Sequence, residues 1–196
     1  MAYLAPAEFA TKMVDAGESK IFMSTRDTVI RAYMAGAILA LAAWMAVTIN
    51  VNTGQPLAGA ILFPVGFIML YLLGFDLLTG VFVLAPLALF DKRPGVTVQG
   101  VLRNWGLVFL GNFAGALTVA FMMAFVTTFG FTQEADKVGK VISNIGEGRT
   151  LGYASHGFAG TVPLSMPAML CHRIVSTGAA RAPTPTPPPP HTIATP

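Results

Sequence analysis

Charge is what this chain has least of. Asp, Glu, Lys and Arg together make up 11% of its 196 residues, and 54% are hydrophobic, whereas a soluble domain carries roughly 25% charged residues. The scarcity is also uneven. No charged residue occurs from Ala32 to Phe75, from Leu77 to Phe90, from Asn104 to Gln133 or from Thr150 to His172. A bilayer core about 30 Å thick is crossed by roughly 20 apolar helical residues, so these runs exclude an ordinary soluble fold and predict an all-α, polytopic membrane protein.

Other shortages exclude chemistry. A single cysteine, Cys171, leaves no intrachain disulfide to form, and with only three histidines there is no ligand cluster for a metal. His156 and His172 lie 16 apart on one segment with no facing pair, so a bis-histidine haem site is not expected. No Ser/His/Asp set and no glycine-rich phosphate loop stands in a suitable context, and the paired Asn-Pro-Ala loops of aquaporins are missing. An enzyme, a cofactor and a bound metal are therefore not expected. The net charge of +3 does not point to nucleic acid either, because the basic residues border the apolar runs.

Those basic residues orient the chain. Along the sequence, Lys and Arg number four before the first span, none in the 50–58 loop, three in 91–103, three in 134–149 and two after 172. On alternate sides that makes nine against three, which places the N-terminus in the cytoplasm and the protein in the inner (plasma) membrane. Acidic residues among the first 31 spoil the pattern of a cleaved signal peptide, so the N-terminus is expected to be retained.

Residues 1–30 form the cytoplasmic segment, in which Phe9 and Met13 of "PAEFATKMVDAGESK" share a face of a short amphipathic helix. A transmembrane domain follows over 31–180. Its first charge-free run, 44 residues, is too long for one crossing and is punctuated by "NVNTGQP", so spans are read at 31–50 and 59–90. The second is interrupted near 74–80, with 17 residues before Asp76 and 14 after, as one broken crossing rather than a re-entrant pair. The third span, 104–130, carries "GNFAG", whose Gly111 and Gly115 form a face for close helix packing. A surface helix is read around 135–144. A fourth, imperfect span covers 157–180, with Pro163, Pro167 and Arg173 inside it, and residues 181–196 form a proline-rich tail without a fold.

Asp76 is the feature that asks for a reason, since an ionisable residue at mid-bilayer is costly and commonly functional. Three readings are open. Asp76 accepts hydrogen bonds from backbone amides freed at the break; it lines a solute or proton pathway; or it pairs with a basic residue of another helix. The first is preferred because Gly74, Thr79 and Gly80 crowd the site with loop-forming residues. Phe63 and Phe67, at i and i+4 before the break, are core or lipid-facing residues that could also narrow a pore.

In their order and spacing, "PAEFATKM", "MAGAILALA", "GFDLLTG" and "RNWGLVFLGNFAGAL" resemble the formate/nitrite transporter family over residues 5–155. The resemblance implies an aquaporin-like helical bundle, with three to four spans here of an expected six. It further implies a homopentamer embedded in membrane lipid, each protomer holding a pore for a small monovalent anion such as formate, nitrite or hydrosulfide. Residue by residue, Asp76 takes the place of the acidic residue of the family's pore loop, with Gly74 and Gly80 supporting it. Leu77 and Leu78 take the constriction positions, Thr79 the chamber threonine, and Phe63 and Phe67 further constriction positions. Leu78 departs from the commoner Phe. In the second half, "LCHRIV" puts His172 where a pore-lining Asn is expected, and the broken fifth helix with its central histidine and the sixth span have no counterpart before Pro196. The expected function is channel-like or proton-coupled anion transport. The alternative is a non-transporting membrane scaffold or partner subunit formed by a truncated or frame-altered chain.

Overall fold

The structure, a computed structural model, describes residues 6–156, with side chains described through residue 148. Every regular element among them is a helix: α1 (Pro6–Phe22), α2 (Thr25–Thr53), α3 (Pro56–Leu62), α4 (Pro64–Leu73), α5 (Leu78–Phe90), α6 (Val98–Thr127) and α7 (Lys137–His156). Three stretches are long and apolar enough to cross a membrane: Thr25–Thr53, Pro56–Leu73 and Val98–Thr127. The expected fourth span and the tail lie outside the described residues.

Capping sets the helix ends, and it moves two of the expected ones. Ser24 is extended (φ −60°, ψ 149°) and its Oγ accepts from the Asp27 amide at 3.1 Å, so α2 starts at Thr25, six residues before the expected start of the first span at residue 31. Thr97 does the same for Gly100 at 3.1 Å, which starts α6 ahead of Arg103 rather than at Asn104. Both helices therefore begin in their polar flanks. At the far end, left-handed Phe129, Gly130 and Phe131 turn the chain out of α6 earlier than residue 130. The surface helix α7 runs to His156, well past the expected 144.

α3 and α4 act as one crossing. Pro64 lacks an amide, but Phe63 keeps helical angles (φ −54°, ψ −43°), and the Phe63 amide still reaches the Gly59 carbonyl at 3.0 Å. Together the 18 residues reach about 27 Å, nearly the thickness of a bilayer core. The stretch before Asp76 is thus long enough to cross alone. Beyond the break α5 continues toward the end of the bundle where α2 and α6 begin, because Leu78 sits beside Asn112 whereas Ala85 and Ala88 pack with Val101 and with Ile21 of α1. Along α2 the break is level with Ala32 and Arg31, whose side chain reaches the Gly74 carbonyl, and along α6 it is level with Asn112, in the middle of that 30-residue helix.

The core is built from small side chains. Ala32, Val81 and Val108 join α2, α5 and α6, and Ile21, Ala85, Ala88 and Val101 join α1, α5 and α6. α2 and α6 run parallel at unusually close range. A methyl group on Gly115 would lie 2.0 Å from the Tyr33 carbonyl oxygen, one on Gly111 would lie 2.5 Å from Ala32 Cβ, and one on Gly36 would lie 2.0 Å from the Asn112 carbonyl oxygen. Such backbone proximity is how membrane helices gain dispersion energy without help from water. The "GNFAG" face therefore packs as the spacing suggested.

We expect Gly115→Val to lower the thermal midpoint of the purified protein by the equivalent of about 3 kcal/mol or more, because overpacking here must displace backbone. Gly106→Ala, where nothing lies within 4 Å, is the control and should stay within about 1 kcal/mol of the parent. Equal effects of the two substitutions, read by unfolding in detergent, would show that the α2–α6 contact is not as tight as described.

Candidate functional site

The break between α4 and α5 is made by four residues, Gly74 to Leu77. Gly74 closes α4 in the left-handed conformation (φ 68°), and the Phe75 amide reaches back to the Leu70 carbonyl at 3.0 Å, a Schellman closure that suits glycine. Leu77 is extended (φ −98°, ψ 137°) and begins α5 with no side-chain cap of its own. Inside a membrane such a break frees backbone groups that only protein or trapped water can satisfy.

Asn112 satisfies them from α6. Its Oδ1 accepts from the Leu78 amide at 2.9 Å, and its Nδ2 donates to the Asp76 carbonyl at 2.8 Å and to the Ala32 carbonyl at 2.7 Å. One amide side chain thus caps α5, closes the loop and ties both to α2. Arg31 adds a bond from Nη1 to the Gly74 carbonyl at 3.3 Å. Below the break, Trp105 Nε1 donates to the Val81 carbonyl at 3.1 Å, and its ring meets Phe82 edge-on at 4.8 Å, bracing α5 where Pro86 omits a helical hydrogen bond.

Asp76 does not cap the helix. Its carboxylate pairs through Oδ1 with the Lys20 ammonium of α1, and it is only 2% exposed. The third of the three sequence readings, a basic partner on another helix, describes this side chain. The preferred one does not, because the amide that needed capping is held by Asn112. Lys20 is fixed at both ends, its carbonyl accepting from Asn104 Nδ2 at 3.0 Å. Asp76 Oδ2 and Asn104 Oδ1 are buried with no hydrogen-bond partner among the described residues.

Beside the break lies a pocket of about 140 Å³. Lys20, Tyr71, Asp76 and Leu77 line it together with Gly74 and Gly80. The other expected site residues fall elsewhere. Leu78 packs against the Ala32–Val81–Val108 cluster, Thr79 is exposed at the start of α5, and Phe63 and Phe67 meet edge-on at 5.5 Å two turns before the break. His172 lies outside the described residues. Among the described residues no group of three or more His, Cys, Asp or Glu could hold a metal. Sequence reasoning missed Lys20, Asn104, Trp105 and Asn112. The "NW" and "GN" pairs were visible, but nothing in spacing says that a side chain will cap a helix 34 positions earlier.

A family model described as formate/nitrite transporter matches residues 7–183. The chain is 30% identical over 149 residues to the uncharacterized transporter YrhG of Bacillus subtilis, covering 73% of this chain and 54% of that protein. It is 28% identical over 155 residues to the formate channel BtFdhC of Bacillus thuringiensis, covering 76% and 58% respectively. A probable formate transporter of Methanothermobacter thermautotrophicus is 28% identical over 173 residues, with 84% of this chain and 61% of that protein aligned. The chain thus spans little more than half the length of these relatives.

Two substitution sets test the clamp and the ion pair. Lys20→Met should cost about 3–5 kcal/mol, because it strands a buried carboxylate. Asp76→Asn should cost less, since the Lys20 side chain is 16% exposed and can turn to water. The pair Lys20→Met with Asp76→Leu should recover most of the loss; a double variant as unstable as the sum of Lys20→Met and Asp76→Leu made singly would rule out the pairing. Asn112→Leu, similar in size, strands a donor and carbonyls worth about 1–3 kcal/mol each. Hydrogen exchange should then rise first at Phe75–Gly80, and uniform exchange along α6 instead would contradict a local clamp.

Proposed function

This chain belongs to the formate/nitrite transporter family, and on that premise we propose that it forms part of a membrane pathway for a small monovalent anion, formate or nitrite. The observation that carries the proposal is the clamped break: a pocket bounded by Leu77, the start of α5 and the Lys20–Asp76 pair. A relative named as a formate channel and another named as a probable formate transporter support the choice of solute.

The chemistry of the pocket suits such a solute. Lys20 supplies positive charge at its wall, and the first amides of α5 carry the positive end of a 13-residue helix dipole. Neither is strong enough to trap an anion, because Asp76 neutralises most of the Lys20 charge. Conduction needs that balance of attraction and release. Leu77 is one of the apolar residues on the pocket wall, with Leu70, Phe75, Val81 and Leu84, and this wall strips water from the solute, so a proton-paired acid passes more readily than a bare anion. Thr79, exposed at the first turn of α5 and not on the pocket wall, is given a solute-facing hydroxyl by family resemblance alone. The roles of Gly74, Gly80, Phe63 and Phe67 follow the same reading, as loop support and as further narrowing before the break. Assembly as a homo-oligomer, pentameric by family resemblance, is part of the proposal. So is an inner-membrane setting with the N-terminus in the cytoplasm, supported by the nine-to-three distribution of Lys and Arg.

Reconstituted into liposomes, the protein should take up formate or nitrite faster than empty vesicles, with uptake increasing as external pH falls. Leu77→Ala should raise the passage of chloride relative to formate by widening the apolar wall. A well-folded oligomer with no uptake of either anion would overturn the proposal and favour a non-transporting scaffold.

A further inference from the structure

α1 reaches the pocket beside the break with one side chain, Lys20, and where that side chain points depends on how the helix is turned about its own axis. By the 3.6-residue turn, Gly17, Lys20 and Ile21 share one face of α1. That face lies on α5: a methyl group on Gly17 would come within 2.0 Å of the Leu84 carbonyl oxygen, and Ile21 packs with Ala85 and Ala88. Glycine and alanine let the two helices approach, but they raise no ridge that would stop α1 from rolling. Asn104 holds Lys20 only by its backbone carbonyl, near the helix axis, where a roll moves atoms least.

What resists a roll sits on the flank. Glu18 and Asp15 lie about 100° and 160° round the helix from Gly17, and both meet Arg93 in the loop after α5. Its Nη2 is 2.8 Å from Asp15 Oδ1 and its Nη1 is 3.7 Å from Glu18 Oε2. The third donor, Nε, holds Asp91 Oδ2 at 2.9 Å. The loop that carries the guanidinium is itself tied down. Lys92 takes a left-handed φ of 54°, uncommon for a residue with a Cβ, and the Arg93 amide donates back to the Ala88 carbonyl at 3.2 Å. Arg93 is thus planted just past the α5 surface on which α1 lies, and it grips α1 at two points away from that surface. A single exposed ion pair adds little to stability. A planar fork with two anchor points on one helix, however, fixes an angle.

We propose that Arg93 is a positioning residue for Lys20: by holding the flank of α1 it fixes the roll of that helix, and so keeps the ammonium on Asp76 at the pocket wall. Its consequence for transport rests on the reading of the pocket as part of the anion path, whereas the positioning itself does not.

The test treats the full chain in detergent with a trace of acetic anhydride and compares, by peptide mass spectrometry, acetylation of Lys20 with that of the exposed Lys12 on the same helix. Arg93→Gln should raise the Lys20-to-Lys12 ratio about fivefold, the size of change that a surface ion pair supports. Asp15→Asn with Glu18→Gln should raise it equally, and adding Arg93→Gln to that pair should raise it no further. Arg93→Lys, which keeps the charge but not the fork, should fall between. Asp91→Asn breaks only the contact within the loop and should leave the ratio at the parent value. A role in stability alone would lower the thermal midpoint and leave the ratio of the folded protein unchanged; that result, or an equal rise in Asp91→Asn, would overturn the proposal. In liposomes, Arg93→Gln should raise the KM for formate and change the maximal rate little. If the parent takes up no anion, the transport reading fails, and the labelling ratio still decides whether Arg93 positions Lys20.

Discussion

A helix cannot stop inside a membrane without supplying partners for the backbone groups it releases, and that requirement organises the described residues. Asn112 meets it with three hydrogen bonds, to Ala32, Asp76 and Leu78. The choice of residue is dictated by the groups themselves. A carbonyl on α2 and a carbonyl in the loop need donors, while the first amide of α5 needs an acceptor. Only a carboxamide offers both on one planar head. A carboxylate would repel the two carbonyls, and a hydroxyl could not serve three partners spread over two elements.

The ion pair solves a second problem created by the same break. Asp76 is buried, and a lone carboxylate there would be driven out or neutralised. Lys20 comes from α1, a helix whose exposed Phe9 suits a membrane surface but whose inner face packs on α5 through Gly17 and Ile21. α1 is thereby part of the loop's construction and not an appendage. The position of the break near α1 is what makes this affordable in physical terms, since Lys20 keeps 16% of its side chain in contact with the outside while neutralising a group that has almost none.

Much of this was legible in the chain. The spacing of charges located three crossings, and Gly111 with Gly115 announced a close helix contact. The family was readable from the order of "GFDLLTG" and "RNWGLVFLGNFAGAL". What stayed hidden shares a physical cause. Asp76 looked like a cap because capping is ordinarily local, within three residues of the helix start. Here the cap comes from Asn112, and the counter-charge from Lys20, 56 positions before Asp76. Long-range partners leave no periodic trace. Helix ends were misjudged for a related reason: charge-free runs mark the apolar core, whereas Ser24 and Thr97 start their helices in the flanks beyond it.

The small residues and the clamp depend on each other. Asn112 is short, with only its Cβ and Cγ between backbone and amide, yet it touches both α2 and the loop. It can do so because Gly36 lets the α6 backbone at Asn112 come so close that a single methyl would collide with its carbonyl. Gly111, just before Asn112, and Gly115, three residues after it, keep α6 as near to Ala32 and Tyr33. With larger residues at these positions the axes would move apart, and Asn112 would lose the Ala32 carbonyl first. The bonds to Asp76 and Leu78 would remain only if the loop followed α6. The loop cannot follow freely, because Arg31 on α2 and Lys20 on α1 hold it from the other side. The glycine stripe therefore does more than bring two helices together: it sets the separation at which a break in a neighbouring helix can be closed.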